Sequence, residues 1–148
     1  GGRSIFIVEK GDQNTNTIFE EMTRNDKKTI MAQKYIPEIK DGDKRIHLVF
    51  GHHVGMALAR VPSEGDHRGN LVMGATGEVR PLTERDQEIC DAIGNTLLKA
   101  GVYFAGIDVI GDYLSEINIT SPTGMREISK NSEVNVSDRF FEALHKLN

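Results

Sequence analysis

The sequence predicts an α+β fold built mainly from antiparallel sheets, on three observations. Arg45 to Phe50 and Val54 to Val61 read as two strands joined near Gly51, which makes a hairpin. Val102 to Ile110 and Leu114 to Thr120 read as a second hairpin. Between them Ile89, Ile93, Leu97 and Ala100 form one apolar stripe at helical spacing. Strands and helices thus come in mixed order, the pattern of an α+β domain.

Taken from the start, Ser4 to Glu9 (SIFIVE) has the β-branched and aromatic content of a strand. Asn14 to Arg24 places Ile18, Phe19 and Met22 at helical spacing, and Asn25-Asp26 ends that helix. Thr29 to Lys34 (TIMAQK) reads as a second strand, stopped by Pro37. Pro62 to Gly77 holds four glycines and a proline without a clear period; a loop that long in a compact domain is commonly a lid or a binding loop. Thr83 fits an N-cap, with Glu84 and Asp86 in the first turn and Gly101 closing the helix. Ser137 or Asp138 is expected to cap a last helix whose apolar side is Phe140, Phe141, Leu144 and Leu147.

Composition narrows the function. The 148 residues are 38% hydrophobic and 27% charged, as in ordinary globular domains. A net charge of -4 argues against nucleic acid as the main partner. No apolar run approaches a membrane span. Cys90 is the only cysteine, so neither an internal disulfide nor a cysteine-rich zinc site is available; a reducing cytoplasm is the simplest compartment. Gly1-Gly2 running straight into a predicted strand reads as the end of a loop, and residues upstream are expected to have been cut away.

The second hairpin carries the chemistry. By period-2 alternation Ile107 and Val109 share one face of their strand, and Ile117 and Ile119 share one face of theirs. Asp108, Glu116 and Asn118 fall on the opposite face. For both apolar faces to meet one core, Asp108 must lie opposite an even-numbered residue; a two-residue turn at Gly111-Asp112 would set it opposite Ser115, so an odd-length connection such as Gly111-Asp112-Tyr113 is predicted, with Asp108 then facing Glu116. Two carboxylates and an amide oxygen suit a hard divalent cation such as magnesium, which shares its remaining sites with water and phosphate. Spacing alone fits a solvated polar face of an edge hairpin equally well.

Arg45, Arg60, Arg68 and Arg80 lie around the glycine-rich stretch. Guanidinium groups suit bidentate contact with phosphate and carboxylate, and surface charge is the bland alternative. The connector Gln33-Lys34-Tyr35-Ile36 has backbone groups suited to an adenine edge, and Asp43 a carboxylate suited to ribose hydroxyls; a plain linker explains both as well. Adjacent His52 and His53 point to opposite faces and read as hairpin-tip surface. Cys90 reads as structural, with no nucleophile triad near it.

Several motifs together are similar to bacterial glutathione synthetase, an ATP-grasp ligase. They are GDKRI from Gly42, ALARVP from Ala57, HRGN from His67, RPLT from Arg80, GIDVIGDYLSEINITSPT from Gly106 and REI from Arg126. The resemblance is collinear over nearly the whole chain. It implies an ATP-grasp fold, with residues 1–36 as a remnant of the small nucleotide lobe and 37–148 as the C-terminal lobe. It implies Asp108, Glu116 and Asn118 as ligands of magnesium, or manganese in its place. Gln33, Lys34, Tyr35 and Ile36 match the adenine hinge, and Asp43 the ribose contact. Arg45, Arg60 and Arg68 match catalytic arginines, Ser121 and Thr123 the peptide-substrate contacts, and Pro62 to Gly77 the lid. The implied reaction joins γ-glutamylcysteine to glycine through an acyl phosphate at the expense of ATP, in a cytoplasmic enzyme that is a homo-oligomer at full length. This chain lacks the upstream lysines and N-terminal domain of the family, so the fragment alone is expected to be inactive. Thr76 stands where the family has arginine, and Gly124 where it has cysteine. The alternatives are a related carboxylate–amine ligase with another acceptor, and a non-catalytic nucleotide-binding fragment.

Overall fold

A computed structural model describes residues 4–61 and 76–146. The chain divides into two compact units, residues 1–37 and 38–148.

The first unit holds one helix, α1 (Thr15–Thr23). Asp12 organises its start, accepting from the backbone N–H of Asn14 at 2.8 Å and, through its carbonyl, from the Thr15 hydroxyl at 2.7 Å. Arg24, Asn25 and Asp26 leave it in the left-handed region, which Asn and Asp tolerate best among residues with a Cβ. The two strands expected in this unit do not form. Residues 5–9 and 29–36 carry no regular structure, and Ile5, Phe6 and Met31 are exposed. β-propensity describes fit to a pleated, half-buried surface, and the described part of this unit offers neither a ladder nor a face to cover.

The second unit is built on a five-stranded sheet in the order β3-β2-β1-β4-β5, with every neighbouring pair antiparallel. The strands are β1 (Asp43–Val49), β2 (His52–Val61), β3 (Thr76–Pro81), β4 (Phe104–Ile110) and β5 (Tyr113–Asn118). Phe50 and Gly51, both at positive φ, turn β1 into β2; this twist matches that of the strands it joins. His52 is exposed beyond that turn, and His53 Nδ1 accepts from the Gly55 N–H at 3.2 Å. β3 was not expected. Its first two residues belong to the stretch read as irregular, and pairing with β2, rather than its own short pattern, makes it a strand. Residues 62–75 of that stretch, Arg68 among them, lie outside the described residues.

One face of the sheet is apolar and is covered by α2 (Glu84–Lys99). Ile46, Leu48, Ala57, Ala105, Ile107 and Val109 meet Leu82, Ile89 and Cys90 there. Thr83 caps α2 as expected, in a reciprocal capping box with Asp86. Asp86 is buried and is also paired with Lys44 from the sheet. Gly101, at φ +78°, follows the helix end. Cys90 is fully buried, and burial, then Asp86, pushes its thiol up to about 12, so it remains protonated and structural. The helix reaches the sheet through glycines: a Cβ on Gly94 would lie 2.0 Å from the Gly51 carbonyl oxygen.

The other face is apolar at one end. There α3 (Met125–Lys130) and α4 (Val136–His145) bring Ile128 and Val136 onto Val49 and Leu58. The short α3 was not expected; Ile128 is its only buried residue, too little for a periodic signal. α4 starts two or three residues earlier than expected. Asn135, not Ser137 or Asp138, is the cap, accepting from both of their N–H groups at 3.0 and 3.3 Å. Its inward side is Val136, Phe140 and Ala143, whereas Phe141 and Leu144 are exposed and Leu147 lies outside the described residues.

His47 marks where this face changes character. It is fully buried, stacked on Phe104 with ring centroids 5.4 Å apart, and neither ring nitrogen makes a hydrogen bond of ordinary geometry among the described residues. Burial, reinforced by Arg45 and opposed by Asp108 and the Thr123 backbone, pushes its pKa down to about 4.

Two measurements check this packing. Gly94→Ala forces a methyl into the Gly51 backbone and should destabilise the chain by about 1–3 kcal/mol in urea unfolding; an unchanged midpoint contradicts the close approach. For His47 the unfolded imidazole, near 6.5, binds more protons than the folded one, near 4, so stability falls as pH drops through that window. The loss should be about 3 kcal/mol, visible as a steep acid limb that His47→Leu flattens.

Candidate functional site

The polar end of the second face collects charged residues from three adjacent strands. Strand alternation puts Asp43 and Arg45 of β1, Arg60 of β2 and Asp108 of β4 on one side. The ladders set them beside one another: Asp43 pairs with Arg60, and Arg45 with Asp108. Arg45 grips Asp108 with a fork, its Nε on Oδ1 and its terminal nitrogen on Oδ2 at 2.9 Å. Its other terminal nitrogen donates to the Thr123 carbonyl at 3.0 Å. Arg60 donates from Nε to Asp43 Oδ1 at 2.8 Å, and from a terminal nitrogen to Asp43 Oδ2. That same nitrogen lies 3.0 Å from Asp108 Oδ2.

Arg45, Arg60 and Asp108 are all less than a tenth exposed, so their charges depend on these contacts. Two arginines and two aspartates make the network neutral. Burial opposes the charge of Arg60, but the hydrogen bond to Asp43 and the charge of Asp108 outweigh it and raise its pKa. For Asp43 burial is the largest influence and raises the pKa, while Arg60 pulls against it.

Two glycines open the slot through which Arg45 runs. A Cβ on Gly106 would lie 3.1 Å from Arg45 Cδ and 2.5 Å from the Cβ of Pro122. A Cβ on Gly124 would lie 3.0 Å from Leu58 Cδ2 and 3.4 Å from Arg45 Cγ. Gly124 also stands at φ +102°, a conformation few residues with a side chain adopt. The sequence reading did not assign Gly106 or His47 to this site, and it noted Gly124 only as a departure from the family pattern.

The register of the second hairpin is as predicted, but the means differ. Asp108 faces Glu116, and Ile107 faces Ile117. The connection is not of odd length: Ile110 pairs with Tyr113 and Val109 with Leu114 across the two-residue turn Gly111-Asp112. A bulge then shifts the register between Val109 and Asp108, at Ser115, whose hydroxyl donates to the Asp108 carbonyl at 3.0 Å. The apolar partners also differ from expectation, because Ile117 is 43% exposed on an edge strand rather than part of the core.

Asn118 lies opposite Gly106, two residues along from Glu116, and its Nδ2 is buried without a hydrogen-bond partner among the described residues. Turned end for end, that amide directs its oxygen to the same place. Among the described residues no three of His, Cys, Asp and Glu converge as a metal cluster. The candidate set has two carboxylates and an amide, oxygen donors that fit a partly hydrated magnesium ion shared with phosphate.

The remaining candidates are spread out. Ser121 and Thr123 are exposed on the segment between β5 and α3. Gln33, Lys34 and Tyr35 are exposed and Ile36 is half-buried, in the irregular segment of the first unit. Arg80 is half-exposed and paired with Glu78, away from the network. No helix among the described residues is long and apolar enough to cross a membrane.

The family described as "Prokaryotic glutathione synthetase, ATP-grasp domain" matches residues 1–133. The chain is 50% identical over 143 residues to glutathione synthetase of Coxiella burnetii, covering 97% of this chain and 44% of that protein. It is 49% identical to that of Nitrosomonas europaea, covering 99% of this chain and 46% of the relative, and 49% identical to that of Escherichia coli O157:H7, covering 97% and 46%. A solved ATP-grasp ligase, PsnB with a minimal precursor, shares 19% identity at a TM-score of 0.49 over 70% of this chain and 33% of its own. The chain spans a little under half the length of the curated relatives it matches. This chain belongs to the prokaryotic glutathione synthetase ATP-grasp family.

Proposed function

We propose that this chain carries the metal-binding part of the active site of an ATP-dependent ligase that joins γ-glutamylcysteine to glycine. The observation that carries the reading is the cross-strand pair Asp108 and Glu116 beside Arg45 and Arg60, in a chain of this family. Asp108, Glu116 and Asn118 are the residues that would hold magnesium, whose charge supports transfer of a phosphoryl group when bound. The neutrality of the Asp43, Arg45, Arg60 and Asp108 network favours a cation that arrives with its own anion. Magnesium nucleotide meets that condition and a bare ion does not.

The substrate carboxylate attacks the γ-phosphate, giving an acyl phosphate and ADP. The glycine amine then attacks the acyl carbon and expels phosphate, losing a proton as the amide forms. In this reading Arg45, Arg60 and Arg68 stabilise the charge that builds on the phosphoryl and carbonyl oxygens. Ser121 and Thr123 are exposed, with the Thr123 carbonyl on Arg45, and fit contacts to the peptide, and residues 33–36 fit the adenine edge. The stretch from Pro62 to Gly77 serves as a cover that keeps water from the acyl phosphate. The rest of the enzyme supplies the remaining phosphate contacts.

The test is turnover of γ-glutamylcysteine, glycine and ATP by the full-length enzyme, followed as ADP release. Glu116→Gln, an exposed position whose change spares the buried network, should lower kcat roughly 100-fold. Full activity in that variant removes Glu116 from the metal site. The 148-residue chain alone should show no more turnover than its Asp108→Asn variant.

A further inference from the structure

The segment between β5 and α3 crosses the polar side of the sheet over Arg45, His47 and Gly106. Arg45 and His47 are two apart on β1 and share that face, and the ladder sets Gly106 of β4 beside His47. Each meets the segment at a different point. Pro122 covers Gly106, where a Cβ would lie 2.5 Å from the proline Cβ. Arg45 donates to the Thr123 carbonyl at 3.0 Å. A Cβ on Gly124 would already be in van der Waals contact with His47 Cε1, at 3.6 Å. Gly124 is thus buried against the sheet while Ser121 and Thr123 stay exposed.

Glycine gives the segment room, and arginine gives it a hydrogen bond; a histidine at the remaining contact calls for a reason. His47 is fully buried, its ring lies flat on Phe104, and neither nitrogen has a partner of ordinary geometry among the described residues. A leucine would fill that place without burying two polar nitrogens, so packing alone does not account for an imidazole. The polar group at hand is the Thr123 carbonyl. The Thr123 backbone acts on the ring as an acceptor does, favouring its protonated form. A carbonyl oxygen has two lone pairs, which leaves room for a second donor beside Arg45. Burial keeps the imidazole neutral at working pH, so it offers one N–H and adds no charge next to Arg45.

We propose that His47 is a positioning residue for the peptide substrate: its imidazole N–H is the second donor to the Thr123 carbonyl, and this bond tightens when the substrate seats against Ser121 and Thr123. The inference rests on the ligase reading above, in which those two residues contact γ-glutamylcysteine. Hydrogen bonds at such sites are often long in the free enzyme and shorten in the complex. His47 touches no substrate; it acts through the segment it holds.

In the full-length enzyme, kcat and the KM values for γ-glutamylcysteine and ATP are measured for three variants. His47→Leu keeps the apolar packing and removes the donor. His47→Asn and His47→Gln carry amide nitrogens that reach about as far as the two ring nitrogens. His47→Leu should raise the dipeptide KM roughly 5- to 10-fold, the size of one hydrogen bond, with kcat and the ATP KM within about twofold of wild type. At least one amide variant should bring the dipeptide KM back to within about twofold, a rescue that a purely structural role does not give. An unchanged dipeptide KM in His47→Leu overturns the proposal. So does a rise matched by the ATP KM, or one that neither amide variant reduces. Should the leucine variant not fold, 15N-histidine spectra of the wild type replace it, with the His47 signals assigned by their absence from His47→Gln. A donor nitrogen that shifts on adding γ-glutamylcysteine is then expected, and signals indifferent to the dipeptide sink the idea. A wild-type enzyme without turnover refutes the ligase reading instead. Calorimetry with γ-glutamylcysteine then carries the His47 comparison, with the same factors expected in Kd; a dipeptide that does not bind overturns this proposal too.

Discussion

The rest of this site depends on a carboxylate that is never left alone. Asp108 sits on β4, beside the central strand, 4% exposed, and an unpaired charge there would be too costly to keep. Arg45 and Arg60 supply its partners from the two strands that follow on that side. Those arginines in turn require room, and the sheet provides it by omission. Gly106 and Gly124 have no side chains where the Arg45 stem passes, and Gly42 lets β1 begin hard against the end of β2. The positions of several glycines and the register of three strands are thus consequences of one buried ion-pair network.

The network also explains why the sheet has two unlike faces. Helix α2 packs on the apolar face, and the charges paired there, Lys44 and Asp86, fasten the helix start. On the other face α3 and α4 cover only the end that carries Val49, Leu58 and Phe104. The uncovered end is where Asp43, Arg60, Asp108 and Glu116 gather. His47 stands between, stacked on Phe104 and neighboured by the charge of Arg45, which accounts for its depressed pKa.

Much of this was legible in the sequence, for reasons that differ by element. The Thr83 cap and the Gly101 stop are local chemistry, and local chemistry survives folding. The β1–β2 and β4–β5 hairpins rest on short-range pairing and were equally readable. The segments 4–9 and 29–34 have strand-like composition yet form no strand, because a strand needs a neighbour and composition does not name one. For the opposite reason Thr76–Pro81 has a poor strand pattern and is a strand, because β2 presents an edge to it.

The candidate metal pair shows the division most clearly. The one-core argument for setting Asp108 opposite Glu116 does not hold, because Ile117 is 43% exposed, whereas alternation along the two strands required the pair to share a face, and they do. The sequence by itself determined that much, since side-chain direction in a strand follows from backbone geometry alone. How the register is reached was decided only by the tertiary structure. A tight two-residue turn and a bulge at Ser115 give the same pairing as the longer connection that alternation suggested, and alternation cannot tell them apart. Nor does any spacing reveal that Asp43 belongs to Arg60. That partnership is made across strands by the ladder and by the exclusion of water, and both exist only once the chain has folded.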